Sequence, residues 1–255
     1  MSYFELRSYQ LAALRASKAR FETGITRQLI SLPTGTGKTV IFASLRSHHQ
    51  ICKRMLVLMH TDELVRQAEE KIRACNPGIT IGIEKADEYA SNDDQIVIGS
   101  VPTLGRDGSP RLERLGPTQF AVIVCDEAHH ATADSYIRIF DHFGVRHPHS
   151  QILLLGMTAT PYRRNGDRLA SVFQELVFQM PLNRAINEGW LCDLRAYRVR
   201  TSISLDHVRV QPNRSDFDTS ELELAVNNPA RNELIVRSWY CLLYTSDAAD
   251  DLTRV

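Results

Sequence analysis

A doubly wound α/β fold, with a mainly parallel sheet flanked by helices, is predicted by three features of the sequence. Short β-branched runs alternate with longer stretches of helical periodicity. Three of those runs, Gln95–Ile98, Phe120–Cys125 and Gln151–Leu155, are apolar without alternation, as strands covered on both faces must be. A glycine-rich turn, Leu32–Thr39, stands directly between a strand and a helix.

Taken in order, Leu6, Tyr9, Ala13 and Leu14 have helical spacing and predict a helix over Arg7–Phe21, closed by Thr23-Gly24. Gln28–Leu32 reads as a buried strand, and a helix runs from Lys38 to about His49. Met55–Met59 is a second strand, after which Asp62-Glu63 opens a helix through about Ala74, acidic residues suiting its positive end. Ile79–Ile83 is a hairpin or edge strand, and the three apolar runs supply the rest of the sheet. Beyond Leu182 the texture changes. Leu182–Gly189 is a short helix stopped by glycine, Leu194–Val199 a final strand, and Thr201–Thr219 a polar linker. Ser220–Ala225 and Ala230–Tyr240 read as helical pieces.

Composition bounds the function. Hydrophobic residues at 43% and charged residues at 24% fit a globular chain with a sizeable core. Thirty basic and thirty acidic side chains cancel, so any polyanion must be held by a local groove rather than a global field. Five cysteines without a CxxC pair predict neither a disulfide framework nor a zinc site. No apolar run approaches the ~18 residues of a membrane span, and the N-terminus lacks the apolar region of a secretory signal. A cytoplasmic location and no membrane partner are expected, and nothing predicts an oligomer.

Leu32-Pro33-Thr34-Gly35-Thr36-Gly37-Lys38-Thr39 has the context of a phosphate-binding loop. Gly35 and Gly37 let backbone N–H groups approach phosphate oxygens, and the helix that follows adds its positive end. Lys38 is expected to contact the β- and γ-phosphates, and the Thr39 hydroxyl to reach Mg²⁺. The first glycine of the strict pattern is Leu32 here, while Thr34–Thr39 is intact. Downstream, the strand Phe120–Cys125 ends in Asp126-Glu127-Ala128-His129. Ligands of open α/β sheets bind at the carboxyl ends of the strands. Asp126 there is expected to hold Mg²⁺ through water, and Glu127 to orient and deprotonate the attacking water. Gly156-Met157-Thr158-Ala159-Thr160-Pro161 follows the next strand, where two hydroxyls can link His129 to a groove beyond.

In order and spacing these motifs resemble superfamily 2 helicases, in particular the branch of the XPB-type repair helicases and the type III restriction motor subunit. Further matches are Leu6–Gln10, similar to the branch's Arg-x-Tyr-Gln motif, Val57–Gln67, Ile96–Leu104, Thr158–Arg163 and Ala185–Leu191. The resemblance spans residues 4–240 and implies a RecA-like P-loop NTPase domain using ATP and Mg²⁺. It implies that Gln10 reads adenine with support from Arg7, and that Pro33, Thr34, Gly35, Thr36, Gly37, Lys38 and Thr39 hold the phosphates. Lys38, Asp126 and Glu127 are the implied catalytic residues, with Thr39 and Asp126 serving the metal. His129, Thr158 and Thr160 would couple hydrolysis to nucleic acid, touched by Thr61, Ser100, Thr103 and Arg163, with DNA favoured over RNA. Where the family reads His-Arg-x-x-Leu this chain has His60-Thr61-Asp62-Glu63-Leu64, so backbone contact there would rest on hydroxyl and N–H groups.

The organisation so implied is a helicase ATP-binding domain over 1–200, and a linker with the start of a second RecA-like domain over 201–240. A non-native tail is expected over 241–255, because Cys241–Asp250 resembles one reading frame of a sequencing-library adaptor. Other signals have plainer readings. His142, His147, His149 and Asp141 suggest a metal cluster but read as a surface loop. Arg111 with Arg114, and Arg163-Arg164, read as solvated charges, with nucleic-acid contact as the other reading. Trp190 reads as core rather than a base-stacking platform, and Cys125 as a small core residue rather than a nucleophile. The function expected is an ATP-driven nucleic-acid helicase or translocase. The alternatives are the motor of a restriction or defence nuclease, and a nucleotide-dependent clamp that does not hydrolyse.

Overall fold

The computed structural model describes residues 5–161, 167–194, 208–209 and 219–241. These fall into two units, 1–193 and 194–255. In the first, α1 (Ser8–Glu22) leads to β1 (Arg27–Ser31), α2 (Lys38–His48), β2 (Arg54–Met59) and α3 (Asp62–Cys75). Then come β3 (Ile81–Glu84), β4 (Ile96–Ser100), the short α4 (Val101–Leu104) and α5 (Pro110–Arg114), and β5 (Phe120–Cys125). After a 3₁₀ turn at Ala128–His130 follow α6 (Asp134–His142), β6 (Leu153–Thr158), α7 (Asp167–Ala170), β7 (Glu175–Gln179) and α8 (Leu182–Asn187).

The seven strands form one sheet in the order β3-β4-β2-β5-β6-β1-β7, and every pairing is parallel. Parallel neighbours need crossover connections, and the helices that supply them cover both faces. Side chains alternate accordingly. Met55, Val57, Val122, Val124 and Leu155 enter one core with α1, α2 and α3, whereas Leu56, Leu58, Ile123, Cys125 and Leu154 enter the other with α6. Fully burying such a side chain contributes about 1.5–3 kcal/mol. Gly156 permits the second core to close, since a Cβ there would lie 2.5 Å from the Phe173 ring and 2.9 Å from Ala128 Cβ.

The expected strands and helices are present with shifted ends. Gln151–Leu155 is in fact Leu153–Thr158, because pairing with β1 carries the strand through to the threonine. The Ile79–Ile83 segment resolves to an edge strand parallel to β4 rather than a hairpin. The glycine stop after α8 holds, with Gly189 at φ 73°. The expected strand Leu194–Val199, the linker Thr201–Thr219 and the tail Cys241–Val255 lie largely outside the described residues, as does Arg163. In the second unit, α9 (Thr219–Val226) and α10 (Pro229–Trp239) correspond to the two expected helical pieces, and Trp239 is exposed. No helix among the described residues is long and apolar enough to cross a membrane.

One correction concerns Arg111 and Arg114. Both guanidinium groups are ion-paired to Glu84, whose side chain is fully buried; Arg111 is largely withdrawn from solvent by this pairing, while Arg114 stays exposed. Ala90 N donates to the same carboxylate at 3.0 Å, and Arg111 also donates to the Ala86 carbonyl at 2.6 Å. The clamp ties the edge strand β3 to α5. Glu84→Ala would leave the largely buried Arg111 head without its counter-charge, a change that typically costs about 3–5 kcal/mol at buried sites, while the exposed Arg114 keeps its water. Urea unfolding is expected to show that loss, and a variant within 1 kcal/mol of wild type would refute the clamp's role.

Candidate ATP site at the carboxyl edge of the sheet

The phosphate loop leaves β1 with Leu32 N donating to the Thr158 carbonyl at 2.9 Å. Gly35 and Gly37 have φ of 84° and 76°, the left-handed region that side chains resist. Gly37 is the N-cap of α2, and a Cβ on it would stand 2.9 Å from Gln10 Nε2. Thr36 is fully buried and its hydroxyl donates to the Pro33 carbonyl at 2.6 Å, closing the loop on itself. Pro33, Lys38 and Thr39 are half-buried, and Thr34 and Gly35 are exposed. Lys38 Nζ reaches the Leu32 carbonyl at 3.5 Å, lying along the loop's inner side.

The start of α1 braces this loop from behind. Tyr9 Oη donates to the Thr36 carbonyl at 2.6 Å and Gln10 Nε2 donates to the same oxygen at 3.1 Å. Gln10 Oε1 accepts from Arg7 N at 2.9 Å, so both ends of the amide are engaged. Trp190 meets Tyr9 edge-on at 5.1 Å, and the Arg7 guanidinium lies 5.7 Å from the Trp190 ring centre. Trp190 is therefore partly buried against this brace, as the core reading of it requires. Tyr9 is the residue that sequence reasoning passed over; it sits inside the Arg-x-Tyr-Gln segment and differs from Gln10 only in lacking an assigned role.

Two strands away, β5 delivers the acidic pair. Cys125 pairs with Gly156 of β6, and Ser31 of β1 pairs with Thr158 on the other side of β6. The phosphate loop and Asp126 thus leave the same sheet edge on either side of β6, about 10 Å apart by strand spacing. Asp126 is 8% exposed. Burial raises its carboxyl above the ordinary value, the Glu127 charge adds to that, and the Glu127 N–H and Lys38 oppose it.

Glu127 has φ 48° and ψ 48°, a left-handed conformation that costs a non-glycine residue about 1–3 kcal/mol. Its N–H is held by Asp126 Oδ1 at 3.0 Å and its Oε2 lies 3.1 Å from His129 Nδ1. His129 Nδ1 is also 3.5 Å from Thr158 Oγ1, and Thr160 N donates to that hydroxyl at 3.1 Å. Glu127, His129, Thr158 and Thr160 therefore form one chain of contacts running from β5 to β6. Cys125 beneath them is fully buried, and burial followed by the two carboxylates pushes its thiol well up, leaving it no nucleophile.

The residues assigned to nucleic acid are brought together in part. Thr61 follows β2 and caps α3, its Oγ1 accepting from Leu64 N at 3.4 Å. Ser100 ends β4 and is buried, and Thr103 Oγ1 accepts from Ala86 N at 3.4 Å. β2 and β4 are neighbours, so the three lie along the same carboxyl edge as the ATP site. Among the described residues no group of three His, Cys, Asp or Glu side chains is gathered for a metal, and His142 Nε2 instead donates to the Leu115 carbonyl at 2.7 Å.

Fold and site together define a RecA-like P-loop NTPase domain of the superfamily 2 helicase type. The family of the type III restriction enzyme res subunit matches residues 3–163, and the chain belongs to it. A Schizosaccharomyces pombe protein assigned as the mitochondrial ATP-dependent helicase irc3 is 32% identical over 79% of this chain and 33% of its own length. The chain spans about a third of the length of the curated relatives it matches. In fold it is similar to the Hef helicase domain of Pyrococcus furiosus, with TM-score 0.59, 21% identity, and 74% of this chain and 41% of that one covered. It is similar also to a nuclease-deletion mutant of the Type ISP restriction-modification enzyme LlaGI in complex with a DNA substrate mimic. There the TM-score is 0.56 and identity 18%, with 72% of this chain and 20% of that one covered.

Proposed function

We propose that this domain binds and hydrolyses ATP to drive a helicase or translocase along nucleic acid, DNA in preference to RNA. The observation that carries this reading is the placement of the Lys38 loop after β1 and of Asp126 after β5 at one carboxyl edge of the sheet, with Glu127 beside Asp126. The residues fit a magnesium-bound nucleotide: a loop with two left-handed glycines, a lysine directed inward, and a mostly buried carboxylate opposite it. Thr39 and Asp126 would hold the metal, which supplies charge neutralisation between the phosphates when bound. Gly35, Thr36, Gly37 and Lys38 bind the phosphates, with Pro33 and Thr34 shaping the loop's entry. Arg7 and Gln10 flank the adenine side, where the Gln10 amide is already oriented. Glu127 orients water and accepts its proton, and His129, Thr158 and Thr160 pass the state of that carboxylate toward Thr61, Ser100, Thr103 and Arg163. DNA is favoured because a structural neighbour was captured on a DNA substrate mimic. A second RecA-like domain in the same polypeptide and residence in a reducing compartment such as the cytoplasm belong to the same reading.

The motor subunit of a restriction nuclease is the second reading, favoured by the family's own description. DNA cleavage dependent on ATP in the full-length protein would select it. The first test is a titration with a fluorescent ATP analogue. Lys38→Ala should weaken binding about 10- to 150-fold, the range for losing hydrogen bonds to a charged group. Unchanged affinity would refute the site.

A further inference from the structure

We infer that His60 is a positioning residue that links the nucleic-acid-facing turn after β2 to the hydrolytic turn after β5. This rests on the ATP-driven reading above and adds a route that it does not contain. The His60 ring lies nearly parallel to that of His130, with centroids 5.2 Å apart and planes 17° apart. It is also nearly parallel to the ring of Tyr136, at 6.5 Å and 15°. Tyr136 comes from α6, is fully buried, and has its phenol pushed up by burial and then by Cys125, Asp126 and Glu127. It shares a core with Cys125 and Ala128, which flank the carboxylate turn.

His130 leads directly to Glu127. Its N–H donates to the Glu127 carbonyl at 2.9 Å, and its ring is 4.1 Å from that of His129, which contacts Glu127 Oε2. A left-handed non-glycine residue persists only where its surroundings over-determine it. Other contacts, from Asp126 and His129, hold Glu127 in place; His60 abuts the end of this turn from a different strand, and Thr61, the next residue, caps α3 at the proposed nucleic-acid edge. The backbones agree with this coupling: β2 and β5 are paired, and Asp126 N donates to the Leu58 carbonyl at 3.3 Å. A strand pressing on Thr61 would shift the His60 plate against His130 and re-aim Glu127.

His60 is exposed, so its truncation leaves the core untouched. The test measures ATP hydrolysis by the full-length protein with and without a single-stranded DNA oligonucleotide, for wild type, His60→Ala and His60→Phe. Basal turnover and the KM for ATP should be unchanged in His60→Ala, while the DNA-stimulated kcat falls about 5- to 150-fold, the usual span of coupling between sites. His60→Phe retains a flat ring and should recover most of the stimulation. Full stimulation in His60→Ala, equal loss of basal and stimulated rates, or a change only in the DNA concentration needed would each overturn the inference. A wild type that hydrolyses ATP without any response to DNA would instead overturn the nucleic-acid reading beneath it.

Discussion

Glu127→Gln is expected to lower ATP turnover about 10²- to 10⁴-fold, the usual worth of a positioned general base, while leaving ATP-analogue affinity unchanged. Glutamine keeps the size of the side chain and an oxygen that can orient water, but it cannot take the proton. Among the described residues, the hydrogen-bond and ion-pair partners of Glu127 are Asp126, His129 and His130, none of them in the phosphate loop. Binding should therefore survive the change. Separate measurement of single-turnover hydrolysis and equilibrium binding tests both halves. Hydrolysis at the wild-type rate would remove Glu127 from the chemistry and bring forward the clamp that remodels complexes without turnover.

The second large effect concerns what faces this edge from outside. In the proposed reading Asp126 and Lys38 bind and polarise, and among the described residues no hydrogen bond or ion pair brings an arginine to Lys38, Asp126 or Glu127. In phosphoryl-transfer enzymes an arginine supplied across an interface raises the rate about 10³- to 10⁵-fold. Residues 1–255 assayed alone should hydrolyse ATP slower than the same domain joined to a second RecA-like domain by that order, and should not unwind duplexes. Strand separation by residues 1–255 alone would contradict this, as would equal turnover with and without the second domain.

Much of the sheet was legible because buried parallel strands have no polar face to disguise them. β5 and β6 are the plainest cases. β7 was not found: Glu175–Gln179 is a half-exposed edge strand that begins and ends on polar residues, and only its pairing with β1 identifies it. α6 was legible in principle, since Tyr136, Ile139 and Phe140 have the i, i+3, i+4 spacing of a buried helix face, but Asp134–His142 gives only one repeat of it. The phosphate loop and acidic box were legible as local motifs with a fixed strand–turn–helix context. What joins them was not. The Tyr9 and Gln10 bonds to Thr36 span 27 and 26 residues. The capture of Arg111 and Arg114 by Glu84 depends on an edge strand meeting a short helix, which no local spacing announces. The left-handed turn at Glu127 is likewise invisible in sequence, since glutamate gives no hint of positive φ.

The most direct test of the central claim is steady-state ATP hydrolysis by the full-length protein, measured with magnesium in the presence and absence of single-stranded DNA, beside Lys38→Ala. Magnesium-dependent turnover that rises with DNA and disappears in Lys38→Ala is the predicted result. Turnover that survives Lys38→Ala, or its absence from the wild type under all of these conditions, would contradict the account.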